Sequence, residues 1–187
     1  MGDPKRQRRK FDTPRHPWRE GILSEELNII GLYGLRNKRE LWRHRTDLAR
    51  YRNTARSLLG MPPEKRERLE KELLAKLTRL GLIREDSTVE AVLDLTVQNL
   101  LERRLQTMVF RSGLARNPHQ ARQFTIHGHI AIGDRKVTSP SYLVLRKEET
   151  AIKYSPYSPF NNPEHPIRGT GEVTVTGERP VGKEEDA

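Results

Sequence analysis

The chain has six histidines and no cysteine, which excludes thiol catalysis, disulfides and cysteine-held zinc. His127 and His129 could set two imidazoles on one face of a strand, the start of a metal site. A third ligand is missing, because no acid occurs nearby until Asp134, so no metal is expected. Gly128 and Gly133 have the spacing of a phosphate-cradling loop, but Asp134-Arg135 stands where Lys-Ser/Thr is required. Gly169 and Gly171 lack a third glycine and a preceding strand. No spacing of Ser, His and acid suggests a catalytic triad, and neither enzymatic activity nor a cofactor is expected. What remains is guanidinium chemistry. Lys plus Arg number 35 against 25 Asp plus Glu, a net charge of +10, with Arg outnumbering Lys. The planar guanidinium pairs phosphate bidentately, so a phosphate polyanion is expected as partner rather than a membrane surface.

The charge is blocked along the chain. Residues 1–60 hold 15 basic and 7 acidic groups, and 61–95 hold 7 and 8. Residues 96–154 hold 10 and 4, and 155–187 hold 3 and 6. Two basic blocks around a neutral one read as two contact surfaces joined by a structural element. Leu, Ile, Val and Phe total 44 of 187, just above the ~20% below which charged chains are usually disordered. The core is therefore lean. No apolar run approaches the ~18 residues of a membrane span. The N-terminal MGDPKRQRRKFD has no apolar segment and does not read as a secretory signal, so an intracellular, reducing setting is expected.

The elements that must position these cations follow from periodicity. Residues 1–34 read as an extended basic arm, of which 1–20 are expected to order only on a partner, with a short helix over Glu25–Tyr33 that stops near Gly31 and Gly34. Residues 35–95 read as a helical domain. Within it Leu41, Leu48, Ala55 and Leu59 form one stripe, and Arg43, Arg45, Arg50, Arg52 and Arg56 occupy much of the remaining surface. Five arginines against Asp47 alone point that surface at phosphate. Pro62 and Pro63 open a neutral packing helix carrying Leu69, Leu73, Leu77 and Leu80, and Ser87 to Glu90 fits a capping box.

Residues 96–154 read as an α+β module. One unbroken helix, Thr96–Ser112, puts Val97, Leu100, Leu101, Leu105, Met108 and Val109 on its apolar face and Arg103, Arg104, Thr107 and Arg111 elsewhere. Asn117 caps a second helix with Pro118 at its first position, and its open N–H groups suit phosphate. His119, Gln120, Arg122 and Gln123 crowd its first turns. Strands are expected near 129–132, 135–137, 143–145 and 151–154. Phe124 and Tyr142 fit the core better than an aromatic base-stacking platform. Backbone and shape recognition of a folded RNA is therefore expected, rather than readout of single-strand bases. Residues 155–187 read as a Pro-rich wrapping segment, with a short strand at Val173–Val175 and an acidic end.

The stretches LERRLQTMVF and ARNPHQARQFTIHGHI resemble the S-four RNA-binding domain. Most of the chain resembles the small-subunit ribosomal protein S-four family in its archaeal and eukaryotic branch. Many bacterial members carry an N-terminal cysteine zinc knuckle, which this cysteine-free chain lacks. The resemblance implies binding of small-subunit ribosomal RNA early in subunit assembly, near the side where messenger RNA enters. Neighbouring ribosomal proteins would lie alongside, in the cytoplasmic ribosome. It places the RNA-facing surface on Arg103, Arg104, Thr107, Arg111, Arg116, Asn117, His119, Gln120, Arg122, Gln123, His127 and His129, to which Lys136 is added. Two other readings stay open from the residues alone: an RNA-modifying enzyme carrying this module as an appendage, and a helix-turn-helix DNA-binding regulator.

Overall fold

A computed structural model describes residues 9–162 and 165. Among these residues seven α-helices, two short 3-10 helices (Arg146–Ala151 and Pro159–Asn161) and a three-stranded sheet make an α+β fold. The helices are α1 (Glu20–Tyr33), α2 (Lys38–Leu59), α3 (Pro63–Arg79), α4 (Val89–Asp94), α5 (Val97–Glu102), α6 (Leu105–Arg111) and α7 (Pro118–Ile126). The strands β1 (Ile130–Ile132), β2 (Arg135–Lys136) and β3 (Ile152–Tyr154) pair antiparallel in the order β2-β1-β3.

Local chemistry sets most of the boundaries. Asn37 caps α2, its side chain accepting from the Glu40 N–H. Pro63 opens α3 and Pro118 opens α7, where the missing N–H costs nothing. Helix α1 starts at Glu20, five residues earlier than the periodicity suggested, and closes on Gly34 at φ 58°. Only glycine fits there: a Cβ would sit 2.7 Å from Cβ of Pro118, the first residue of α7. The corner between α1 and α2 therefore lies directly on the start of α7. At α4 the expected Ser87 capping box is not formed. Thr88 holds the cap position without a side-chain hydrogen bond.

The largest departure from the periodicity is the helix over 96–112, which breaks into α5 and α6 at Arg103-Arg104. Arg104 adopts an extended backbone, φ −73° and ψ 141°. The segment 140–144 pairs with the break. Leu105 N–H donates to Tyr142 O, Gln106 N–H to Pro140 O and Val144 N–H to Arg103 O. The strand expected at 143–145 is thus a single bridge, Arg104 to Leu143. Past the break the helix phase changes, and Arg104, Gln106 and Thr107 turn inward.

Three apolar clusters result, and the broken helix touches all of them. Leu100 packs with Leu48, Leu58, Leu77 and Val92 of the helical region. Leu101 packs with Tyr33, Leu35 and Leu41. Leu105 packs with Val109, Phe124, Ile130 and Val144 of the module. Leu105 is fully buried, so Leu105→Ala is expected to lower the unfolding free energy by ~2–5 kcal/mol. A chemical-denaturation midpoint that does not move would show that the cluster is not the module's core.

Two peripheral segments are tied down. The arm does not wait for a partner from residue 9 onward: Phe11 lies 6.1 Å from the Trp42 ring, and Asp12 N–H donates to Thr46 Oγ1 at 2.9 Å. After β3 the chain wraps back over the module. Ser155 N–H donates to His129 O, and Phe160 packs 4.7 Å from Phe124. The strand expected at Val173–Val175 and the acidic end lie outside the described residues.

Candidate nucleic-acid interface

The arginines expected to share one role divide in two. Some lock the helical region onto the module. Arg104 is 1% exposed; it donates to Glu40 Oε2 at 2.6 Å and to His44 Nε2 at 3.1 Å. Arg122 grips the same carboxylate, 2.8 Å from Oε1. Glu40 on α2 thus bridges two guanidinium groups of the module. Burial alone would raise its pKa, but hydrogen bonds from Arg122 and Arg104 outweigh that and hold it below the usual carboxylate range. His44 is pushed down to about 4, first by burial and then by the Arg104 charge. Because a guanidinium can only donate, His44 Nε2 accepts, and the neutral ring carries its proton on Nδ1. Gln106 completes the seam, its Nε2 donating to the carbonyls of Tyr33, Gly34 and Pro118.

Arg104 and Thr107 therefore do not face a ligand, contrary to their expected placement. Thr107 is 4% exposed and its hydroxyl donates to Leu101 O. Other expected contact residues are engaged within the protein. Arg45 pairs with the buried Glu26 at 2.6 Å, and Arg52 donates to Leu95 O. Arg103 donates to Glu149 and Val144 O. Arg111 pairs with Glu102, which also accepts from the Tyr33 hydroxyl. Burial first, and then that bond to Glu102, pushes the Tyr33 pKa up to about 12.

The second set is exposed: Arg43, Arg50, Arg56, Arg116, Asn117, His119, Gln123, His127 and Lys136. Arg43 and Arg50 are seven residues apart and share one stripe of α2, to which exposed Arg39 belongs four residues earlier. Arg56 falls on the stripe of Arg45 and Arg52. Asn117 Oδ1 accepts from Gln120 N–H, and Gln120 Oε1 accepts from Arg116 N–H, both at 2.7 Å, so the cap of α7 is rigid. Since Glu40 binds Arg122, the exposed turns of α7 border the first turns of α2. Arg36 and Arg39, exposed just past the contact of Gly34 with Pro118, extend that border. The run RNKRE held the signal for these two, but sequence spacing alone gave no reason to join it to α7. Tyr157 was also missed; its ring is 97% exposed on a turn anchored on both sides.

Among the described residues no three His, Asp or Glu side chains gather as a metal site, and no helix is long and apolar enough to cross a membrane. Architecture and charge together define a helix-rich α+β protein whose small module sets the capped start of α7, with exposed Arg116 before it, beside an arginine-striped helix. Residues 103–149 match the S4 domain family. The chain is 54% identical to small ribosomal subunit protein uS4 of Metallosphaera sedula over 177 residues, which is 94% of this chain and 97% of the relative. It is 55% identical to the uS4 protein of Hyperthermus butylicus over 161 residues, 86% of this chain and 91% of the relative. The uS4 protein of Ignicoccus hospitalis is 54% identical over 160 residues, 86% of this chain and 96% of the relative. The chain belongs to the uS4 family of small ribosomal subunit proteins.

Proposed function

We propose that the protein is a structural constituent of the small ribosomal subunit that binds folded small-subunit ribosomal RNA. The observation that carries this reading is the set of exposed cations on α2, Arg39, Arg43 and Arg50, beside Arg116 just before the cap of α7, with α2 and α7 held in fixed relative position by Glu40 with Arg104 and Arg122. The protein acts without catalysis. It binds early in assembly, near the side where messenger RNA enters, with other small-subunit proteins alongside in the cytoplasmic ribosome. Residues 35–95 and 96–154 work as two RNA-contacting units, and the N-terminal arm adds charge. A DNA-reading helix-turn-helix fits less well: α7 has only nine residues, and Ala121, Arg122, Phe124 and Thr125 on it are buried or ion-paired.

Competition between folded small-subunit RNA and duplex DNA at one salt concentration tests the reading. RNA should win clearly; equal competition by DNA would overturn it. The double variant Arg43→Gln, Arg50→Gln is expected to weaken RNA binding and to flatten its salt dependence by ~1 log unit per arginine. Its melting temperature should stay within a few degrees, since exposed substitutions are usually worth about ±0.5 kcal/mol. Unchanged RNA affinity would remove the α2 stripe from the interface.

A further inference from the structure

We propose that His127, His129 and Lys136 form one anion-binding cluster that takes an RNA phosphodiester together with a proton. This rests on the RNA-binding reading above and names one contact and its regulation.

The geometry is built by the end of α7 and the hairpin that follows. His127 closes α7, Gly128 turns the chain at φ 75°, and His129 leads into β1. The two imidazoles end up nearly parallel, 8° apart in plane and 6.2 Å between centroids. His129 is fixed in place. Its Nδ1 lies 3.0 Å from Ser158 Oγ, and its ring meets Phe160 at 4.5 Å and Phe124 at 6.1 Å, both edge-on. Lys136 crosses directly over Gly128, where an added Cβ would fall 1.9 Å from Lys136 Cε. The bare Gly128 backbone thus seats the lysine stem, with Nζ 2.6 Å from the same point, and the ammonium acts electrostatically on His129.

Among the described residues, the surrounding charges are cationic or already paired. From α7 come His127 and Arg122, the latter bound to Glu40. From β2 come Arg135 and Lys136. From β3 comes Lys153, which faces Asp134 at 3.6 Å. β3 also brings the Tyr154 ring near Phe124, and the wrapping segment brings the Ser158 hydroxyl and His165, packed edge-on against Phe160. Among the described residues no carboxylate acts on His129. Burial, then His127, then Lys136 hold its pKa below the ordinary imidazole value, which favours the neutral ring. A docked phosphodiester reverses the sign of the local field, and the imidazolium becomes the favoured form. The proton comes from solvent and forms an N–H on imidazole that donates to a phosphate oxygen; no other bond changes.

The sign of the linkage follows. The histidine pKa is higher in the complex than in the free protein. The extra affinity is complete below the free-protein value and disappears as pH rises through the value in the complex. His44 does not contribute near neutrality, being held down at about 4.

The test uses the full chain, in-vitro-transcribed small-subunit RNA and fixed salt. The wild type should bind ~10-fold more tightly at about pH 6 than at about pH 8, the magnitude of one linked proton over the histidine range. The variant His127→Gln, His129→Gln should lose most of that dependence, and His127→Gln alone part of it. The NMR titration of the His129 ring should move to higher pH when RNA is bound. A pH-independent wild type, a double variant that keeps the full dependence, or a His129 titration that RNA does not move would overturn the proposal. Should the double variant fold poorly, His127→Gln and the wild-type titration carry the decision. Failure to bind RNA at every pH would instead overturn the broader functional reading.

Discussion

Replacing Arg104 with alanine is expected to lower the unfolding free energy by ~3–5 kcal/mol, the magnitude typical of removing one partner from a buried ion pair. The side chain is 1% exposed and its guanidinium sits between Glu40 on α2 and His44 one turn further along. Without it, Glu40 keeps only Arg122, and His44 Nε2 loses its donor. The seam between helical region and module would weaken along with the fold. Differential scanning calorimetry of the wild type, Arg104→Ala, Glu40→Ala and the double variant would measure this. The two single losses should sum to more than the double loss, because both remove the same contact. A melting temperature within a few degrees of wild type, with RNA affinity alone reduced, would show that Arg104 points outward after all.

The same network sets a pH signature. His44 titrates at about 4 in the folded protein against an ordinary value near 6.5, so the unfolded chain binds its proton first as pH falls. Its contribution is complete above that ordinary value and declines as pH drops from ~6.5 toward 4. Glu40, also held low, loses its contribution further down.

Arg104 marks the limit of what the sequence could reveal. The apolar positions from Val97 to Val109 satisfy a single helical period, and no Gly or Pro interrupts them. The break is imposed by backbone bonds from residues 140–144, some forty positions away, and the partner carboxylate is 64 positions away. Local propensity carries no trace of either. The same applies to Arg122, whose partner lies 82 positions away on α2. By contrast, what depends on neighbours in sequence was readable. The Asn117 cap, Pro118 at the first position of α7 and the Leu73–Leu77 packing face of α3 stand where spacing put them. The exposed set of Arg43, Arg50 and His119 was also legible, because helical phase alone separates those positions from the apolar stripe. Composition could count the arginines, but not say which of them carboxylates and carbonyls inside the protein already hold.

That distinction bears on RNA affinity, which is expected to fall ~10³-fold between about 50 and 200 mM monovalent salt. Each phosphate neutralised by a protein cation releases condensed counterions, so the slope of log affinity against log salt counts those contacts. All 35 basic residues cannot enter the count. Arg104 is buried, and Arg45, Arg52, Arg103 and Arg122 bind acids or carbonyls within the protein. Arg43, Arg50, Arg56, Arg116 and Lys136 stand exposed, Arg50 in a surface pair with Asp47, joined by the exposed Arg36, Arg39 and by Arg9 and Lys10 of the arm. Contact with most of these gives roughly six to eight phosphates and a slope of magnitude ~5. A titration series at constant pH would measure it, since the proton-linked histidines would otherwise add their own term. A slope near 1 would mean that the exposed arginines are spectators and that affinity comes from a surface other than the α2–α7 face. A slope well above 5 would mean that the arm contributes more than its described residues, and truncation before Arg9 should then bring it back toward 5.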